Sequence, residues 1–173
     1  MISGRVWIGF NALSFQLVWW SGVVMGNASL NVSVILLVIH LVMTPCRRPD
    51  IRLLSLMAAP GIILDGLLCW LGLLQFQSLP WWLVLLWLHF ALSFNASLSF
   101  LTRFPVWGVA LLGAIFGPLS YVAGSRLGAV YLPQGDIITA LVLAGIWLLL
   151  LPLGGWLARM SHANGGAPLT ETQ

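Results

Sequence analysis

Six apolar runs, separated by prolines, glycines and arginines, make up most of this chain. They cover roughly residues 6–25, 28–44, 53–75, 81–101, 106–127 and 137–158. An α-helix rises 1.5 Å per residue, so about 20 apolar residues cross a 30 Å hydrocarbon core. Pro45, Pro49, Pro80, Pro105 and Pro133 fall between the runs, where helices stop or start. The joints are only a few residues long, apart from 128–136, so neighbouring helices must run antiparallel. The pattern predicts an all-α, polytopic integral membrane protein. It would be a single bundle of six transmembrane helices over residues 1–160, with a flexible polar tail over 161–173.

Composition narrows the class. Of the 173 residues 60% are hydrophobic and 6% charged, whereas soluble domains carry about 25% charged residues to cover a wetted surface. Most of this surface must therefore face lipid. The net charge of +3 comes from seven arginines and no lysines against four acids. In a soluble chain that balance would raise nucleic acid as a partner. Here the arginines sit between apolar runs and report topology instead. Six crossings would bring Arg5, Arg47, Arg48, Arg52, Arg103 and Arg159 to one side and leave Arg126 alone on the other. Cytoplasmic loops are enriched in arginine and lysine, so both termini are expected in the cytoplasm.

The first run is interrupted by Asn11, Ser14 and Gln16. It is read as a crossing, because a cleaved signal peptide would need an unbroken apolar centre and a soluble domain to export. Trp19, Trp20, Trp81 and Trp82 fall at one interface and Trp7, Trp107 and Trp156 at the other, as an aromatic belt does. The sequons at Asn27, Asn31 and Asn95 lie within or against helices and are not read as glycosylated. Cys46 and Cys69 fall at different depths, which predicts neither a disulfide nor a metal site. The HExxH, CxxC, GxSxG and Walker-type patterns are missing, so no cofactor or metal is expected.

One acid stands out. In "PGIILDGLLCWLG", residues 60–72, Asp65 is flanked by apolar side chains. It lies about 18 Å along a helix that leaves the cytoplasm near residue 53, and His89 reaches about the same depth from the other side. Tyr121 and Gln16 come near the same depth, at roughly 22 and 15 Å. The expected intramembrane polar layer is Asp65, His89, Tyr121 and Gln16, with His89 as the partner of Asp65. A carboxylate at mid-membrane costs about 2.5–3.5 kcal/mol on insertion scales, so it should face the bundle interior. Polar side chains between membrane helices are also common packing contacts worth about 0.6 kcal/mol, and that reading stands for Gln16 and Tyr121. Arg126 is expected to snorkel outward or pair with Asp136, and His40 to sit at the interface.

Gly113 and Gly117, and Gly124 and Gly128, are spaced four apart, as in close helix–helix contacts. Pro60, Pro118 and Pro152 lie within helices and should kink them. An echo, "FNALSF" at 10–15 and "FNASLSF" at 94–100, falls early in one helix and late in another, so it does not mark an inverted repeat.

The stretches "PWWLVLLWLHFALSFNASLSFL" and "LLGAIFGPLSYVAGSRLGA", together with "LDGLLCWLG", resemble a bacterial membrane family known as domain of unknown function 2878. The resemblance runs over nearly the whole chain, with its most specific part between Pro80 and Ala129. It implies an inner-membrane protein of a Gram-negative bacterium, and supplies neither an activity nor catalytic residues to carry over. Members of the family resembled are often encoded near lipid-modifying proteins, including cyclopropane-fatty-acid synthase-like enzymes, which implies a lipid-modifying enzyme or another membrane protein as a partner. Three classes of function follow: a protein binding or modifying a membrane lipid through the polar layer, a small proton-coupled transporter using Asp65, or an assembly partner of another membrane protein. Lipid association leads, chiefly on the family's company.

Overall fold

The computed structural model describes residues 3–163; the expected polar tail lies, beyond Ala163, outside the described residues. The regular elements among these residues are all helical. They are α1 (Gly4–Met25), α2 (Leu30–Met43), α3 (Arg47–Leu53), α4 (Ala59–Trp70), α5 (Trp81–Ser93), α6 (Val106–Arg126) and α7 (Gly135–Ala163). Three short turns link them: 3-10 turns at Gly26–Ser29 and Ser99–Arg103, and a π turn at Leu54–Ala58.

Four helical stretches are long and apolar enough to cross a membrane: Gly4–Met43, Arg47–Trp70, Val106–Arg126 and Gly135–Ala163. The first is folded back on itself. Gly26 adopts φ +57°, a left-handed conformation that glycine reaches without steric cost. The Trp7 ring then lies 4.7 Å from the His40 imidazole, which only an antiparallel α1–α2 hairpin allows. The second stretch joins α3 to α4 through the π turn. Pro60 has no N–H to return to the carbonyl of Leu56, and the helix widens in the preceding turn.

The fourth apolar run does not become the helix its length predicts. Instead of reaching 101, α5 stops at Ser93 after 13 residues, about 20 Å and short of a 30 Å core. Ser93, Asn95 and Ser97 offer side-chain hydrogen bonds that compete with the helical ladder. Asn95 and Ser97 are drawn into contacts with other helices, described below. The second run also forms a shorter α-helix than its apolar span, because the 3-10 turn takes its first residues.

The most extensive helix pair is α6 against α7. A methyl group at Gly113 would strike the Trp147 carbonyl, and one at Gly117 would strike the Trp147 indole. These two glycines therefore serve contact within the chain, where the sequence pattern had also allowed docking to a partner. Trp147 in turn stacks on Trp87 of α5, with ring centroids 5.9 Å apart and planes 13° from parallel. Gly124 meets only Val130, and Gly128 ends α6 with φ +82° as a turn residue. An isolated antiparallel bridge, Gln75 with Tyr131, joins the two loops at the end opposite most of the arginines. Outward side chains are apolar: Leu13, Val24, Ile63, Trp70, Ile137, Leu141 and Leu149 are 64–80% exposed. Such a surface in water would drive aggregation, and in a bilayer it is the solvated face.

Candidate functional site

The α4 face that carries Asp65 is built around a missing side chain. Gly61 lies one turn before Asp65, and the Trp87 indole occupies the space a Cβ there would need. That close approach lets Trp87 Nε1–H donate to Asp65 Oδ2 at 2.6 Å. Tyr121 of α6 donates its hydroxyl to Oδ1, also at 2.6 Å. Asp65 is 5% exposed, and each carboxylate oxygen has a donor of its own. Hydrogen bonds to a charged group are worth about 1.5–3 kcal/mol each. Together they offset much of what moving a carboxylate into the bundle costs.

Of the expected layer, the structure brings Asp65 and Tyr121 together and leaves the other two apart. His89 is buried, but its Nε2 lies 3.0 Å from the Ser33 carbonyl of α2, not against Asp65. The depth of the two residues did not determine their azimuth. At 100° per residue Trp87 and His89 point about 200° apart around α5, so α4 meets one and α2 the other. The donor missed in the sequence is Trp87, which the apolar run concealed among interface tryptophans. Gln16 faces outward from α1 and takes no part in the cluster. Tyr121 also borders a void of about 40 Å³ between α5, α6 and α1. Trp87→Phe keeps an aromatic ring, though a smaller one, and removes the N–H, so one carboxylate oxygen loses its partner. The expected outcome is a loss of about 1–3 kcal/mol, read by denaturant titration in micelles.

A second polar cluster, at the arginine-bearing end, was not anticipated. Asp50, on α3, is 1% exposed although Arg47, Arg48 and Arg52 around it face outward. Its Oδ2 lies 3.3 Å from His40 Nε2 and accepts from the Thr44 hydroxyl. Its Oδ1 accepts from Asn95 Nδ2 at 2.8 Å. Behind His40, Asn11 Nδ2 lies 3.5 Å from Nδ1, while Asn11 Oδ1 accepts from the Ser97 backbone N–H and hydroxyl. Because that amide presents its NH₂ to the ring, Nδ1 acts as acceptor and Nε2–H is aimed at Asp50. The cluster thus ties α1, α2, α3 and the segment after α5. His40 is a buried partner of Asp50, 2% exposed, and not the interfacial side chain its position implied.

The sequence did carry a trace of this cluster. Asn11 belongs to "FNALSF", and Asn95 and Ser97 to "FNASLSF", so the echo marks two segments that meet. Cys46 sits beside the cluster, its backbone N–H donating to Thr44 Oγ1. Burial pushes its thiol upward, and the Asp50 carboxylate adds to that. A thiol held protonated in this way is a poor nucleophile. Among the described residues no group of His, Cys, Asp and Glu could hold a metal ion.

A larger opening lies elsewhere. A groove of about 470 Å³ runs between the Ser99–Arg103 turn, the start of α6 and the last turns of α7. Its walls include Leu101, Phe104, Val106, Val109, Pro152, Gly155, Trp156 and Arg159. Pro152, Gly155, Trp156 and Arg159 follow i, i+3, i+4, i+7 spacing, one face of α7. Gly155 leaves that face open, since a Cβ there would meet nothing within 4 Å. At the opposite end Arg126 and Asp136 form the expected ion pair, half or more exposed on the arginine's side; such pairs contribute little, about 0–1 kcal/mol.

The family described as "Protein of unknown function (DUF2878)" matches residues 8–153 of the chain. No curated protein and no solved structure matches it.

Proposed function

We propose that this chain, which belongs to the DUF2878 family, is a multi-pass protein of a bacterial inner membrane that binds a membrane lipid. In this reading α1, α2, the joined α3–α4, α5 together with the turns that continue it to Arg103, α6 and α7 make six crossings. The end bearing Arg5, Arg47, Arg48, Arg52, Arg103 and Arg159 faces the cytoplasm, in accord with the enrichment of arginine in cytoplasmic loops.

The observation that carries the lipid reading is the groove beside α7. Its volume falls within the roughly 300–1,000 Å³ of small-molecule sites, and its walls are apolar with a few polar groups. It opens beside side chains that a bilayer would solvate, including Leu153 and Phe104. The two buried carboxylates support the same reading indirectly. Asp65 and Asp50 have both oxygens taken by donors of the chain itself, so neither is presented to a solute or substrate. They hold the bundle that forms the groove.

The test is native mass spectrometry of the full chain released from detergent micelles. The wild type should retain about one lipid, and Gly155→Trp, which fills open space in the groove, should retain several-fold less at unchanged thermal stability. Equal retention by both proteins overturns the reading.

A further inference from the structure

Along the face of α7 that lines the groove, chemistry changes in order. Pro152 comes first, then the open space at Gly155, then Trp156, and one turn later Arg159. Both of the last two side chains are exposed at the groove, and Arg159 makes no ion pair among the described residues. Opposite them Leu101 and Val109 form a buried apolar floor. An amphiphile with a negative charge about two helical turns from the deep end of its apolar part would match this order. Trp156 stands where an amphipathic ring is favoured, at the boundary between acyl chains and headgroups. Arg103, between the lining residues Thr102 and Phe104, is exposed at the same end and adds to the positive field.

We infer that the groove selects an anionic phospholipid, with an acyl chain along Pro152 and Gly155 and the headgroup phosphate on Arg159. Guanidinium and phosphate match in a two-pronged geometry that holds the headgroup at the end of the groove. Phosphate is common to all phospholipids, so the selectivity comes from net charge. In phosphatidylethanolamine the ammonium group cancels the charge that Arg159 attracts, and in phosphatidylglycerol nothing does. The surrounding membrane supplies the ligand, and the arginine-bearing end is where basic pockets between helices meet anionic headgroups.

This inference rests on the groove being a lipid site, and its experiment separates the two claims. The full chain is placed in nanodiscs of equal phosphatidylglycerol and phosphatidylethanolamine, and the lipids that leave with the protein are weighed by native mass spectrometry. Wild type should carry phosphatidylglycerol in about tenfold excess, a preference of about 1.4 kcal/mol for the headgroup whose charge is not cancelled. Arg159→Gln should still carry one lipid but with that excess nearly gone, and Arg159→Lys should restore part of it. Free inorganic phosphate in excess should leave the bound lipid in place, because the chain contributes most of the contact. A wild type that carries both lipids equally, or an Arg159→Gln protein with selectivity intact, overturns the assignment of the headgroup while leaving the groove a lipid site. Displacement by inorganic phosphate overturns the acyl-chain part of the assignment. Retention of neither lipid by wild type overturns both readings.

Discussion

Asp50→Ala is expected to lower stability by about 3–5 kcal/mol, because it leaves three hydrogen-bond donors without their acceptor, each at a cost of about 1–3 kcal/mol. Three donors converge on this carboxylate: His40 Nε2–H, the Thr44 hydroxyl and the Asn95 amide. Removing it leaves the buried His40 and the partly buried Thr44 and Asn95 without their acceptor. It also unties α3 from the α1–α2 hairpin and from the end of α5, so the loss should be cooperative. Denaturant titration of the full chain in micelles measures it, with Asp136→Ala as the comparison. Asp136 has an arginine partner as well, but that pair lies at the surface and its loss should cost under about 1 kcal/mol. If both variants unfold at the same denaturant concentration, the Asp50 cluster does not hold these elements together.

Gly113→Val should be comparably severe for a different reason. The space a side chain would need is filled by the Trp147 carbonyl of α7. Backbone yields less than the end of a flexible side chain, so the two helices must separate. Overpacking costs about 1–3 kcal/mol where side chains can adjust, and here the upper end or more is expected. Separation would also disturb the stack of Trp147 on Trp87, and through Trp87 the bond to Asp65. Gly145→Ala supplies the contrast. That glycine is an exposed position inside α7 with nothing near its Cβ, so alanine should stabilise the helix by about 0.5–1 kcal/mol. Thermal unfolding of the three proteins decides the matter. A Gly113→Val midpoint equal to wild type would mean that α6 and α7 do not pack this closely.

What could be read along the chain was what depends on solvent and on local spacing. The apolar runs, the arginines gathered at one end, the glycine spacing of α6 and a carboxylate that had to face inward all follow from transfer free energies and helical periodicity. Depth along the helices put Tyr121 in the layer of Asp65 but pointed to His89 as the partner, and only the packing of α6 on α4 brings the Tyr121 hydroxyl to the carboxylate. Tertiary structure alone decided which azimuth each residue occupies. His89 and Trp87 share a helix and a depth within 3 Å of rise, yet one serves Ser33 of α2 and the other Asp65 of α4. The burial of Asp50 was equally hidden, because a lone acid among three exposed arginines looks like a solvated loop until the hairpin folds over it. Nor could hydropathy foresee the early end of α5, where two hydrogen-bonding side chains find partners on other helices. Partition into a membrane is a sum over residues and can be taken from the sequence. The pairing of polar groups inside the bundle depends on which faces meet, and only the packed helices settle that.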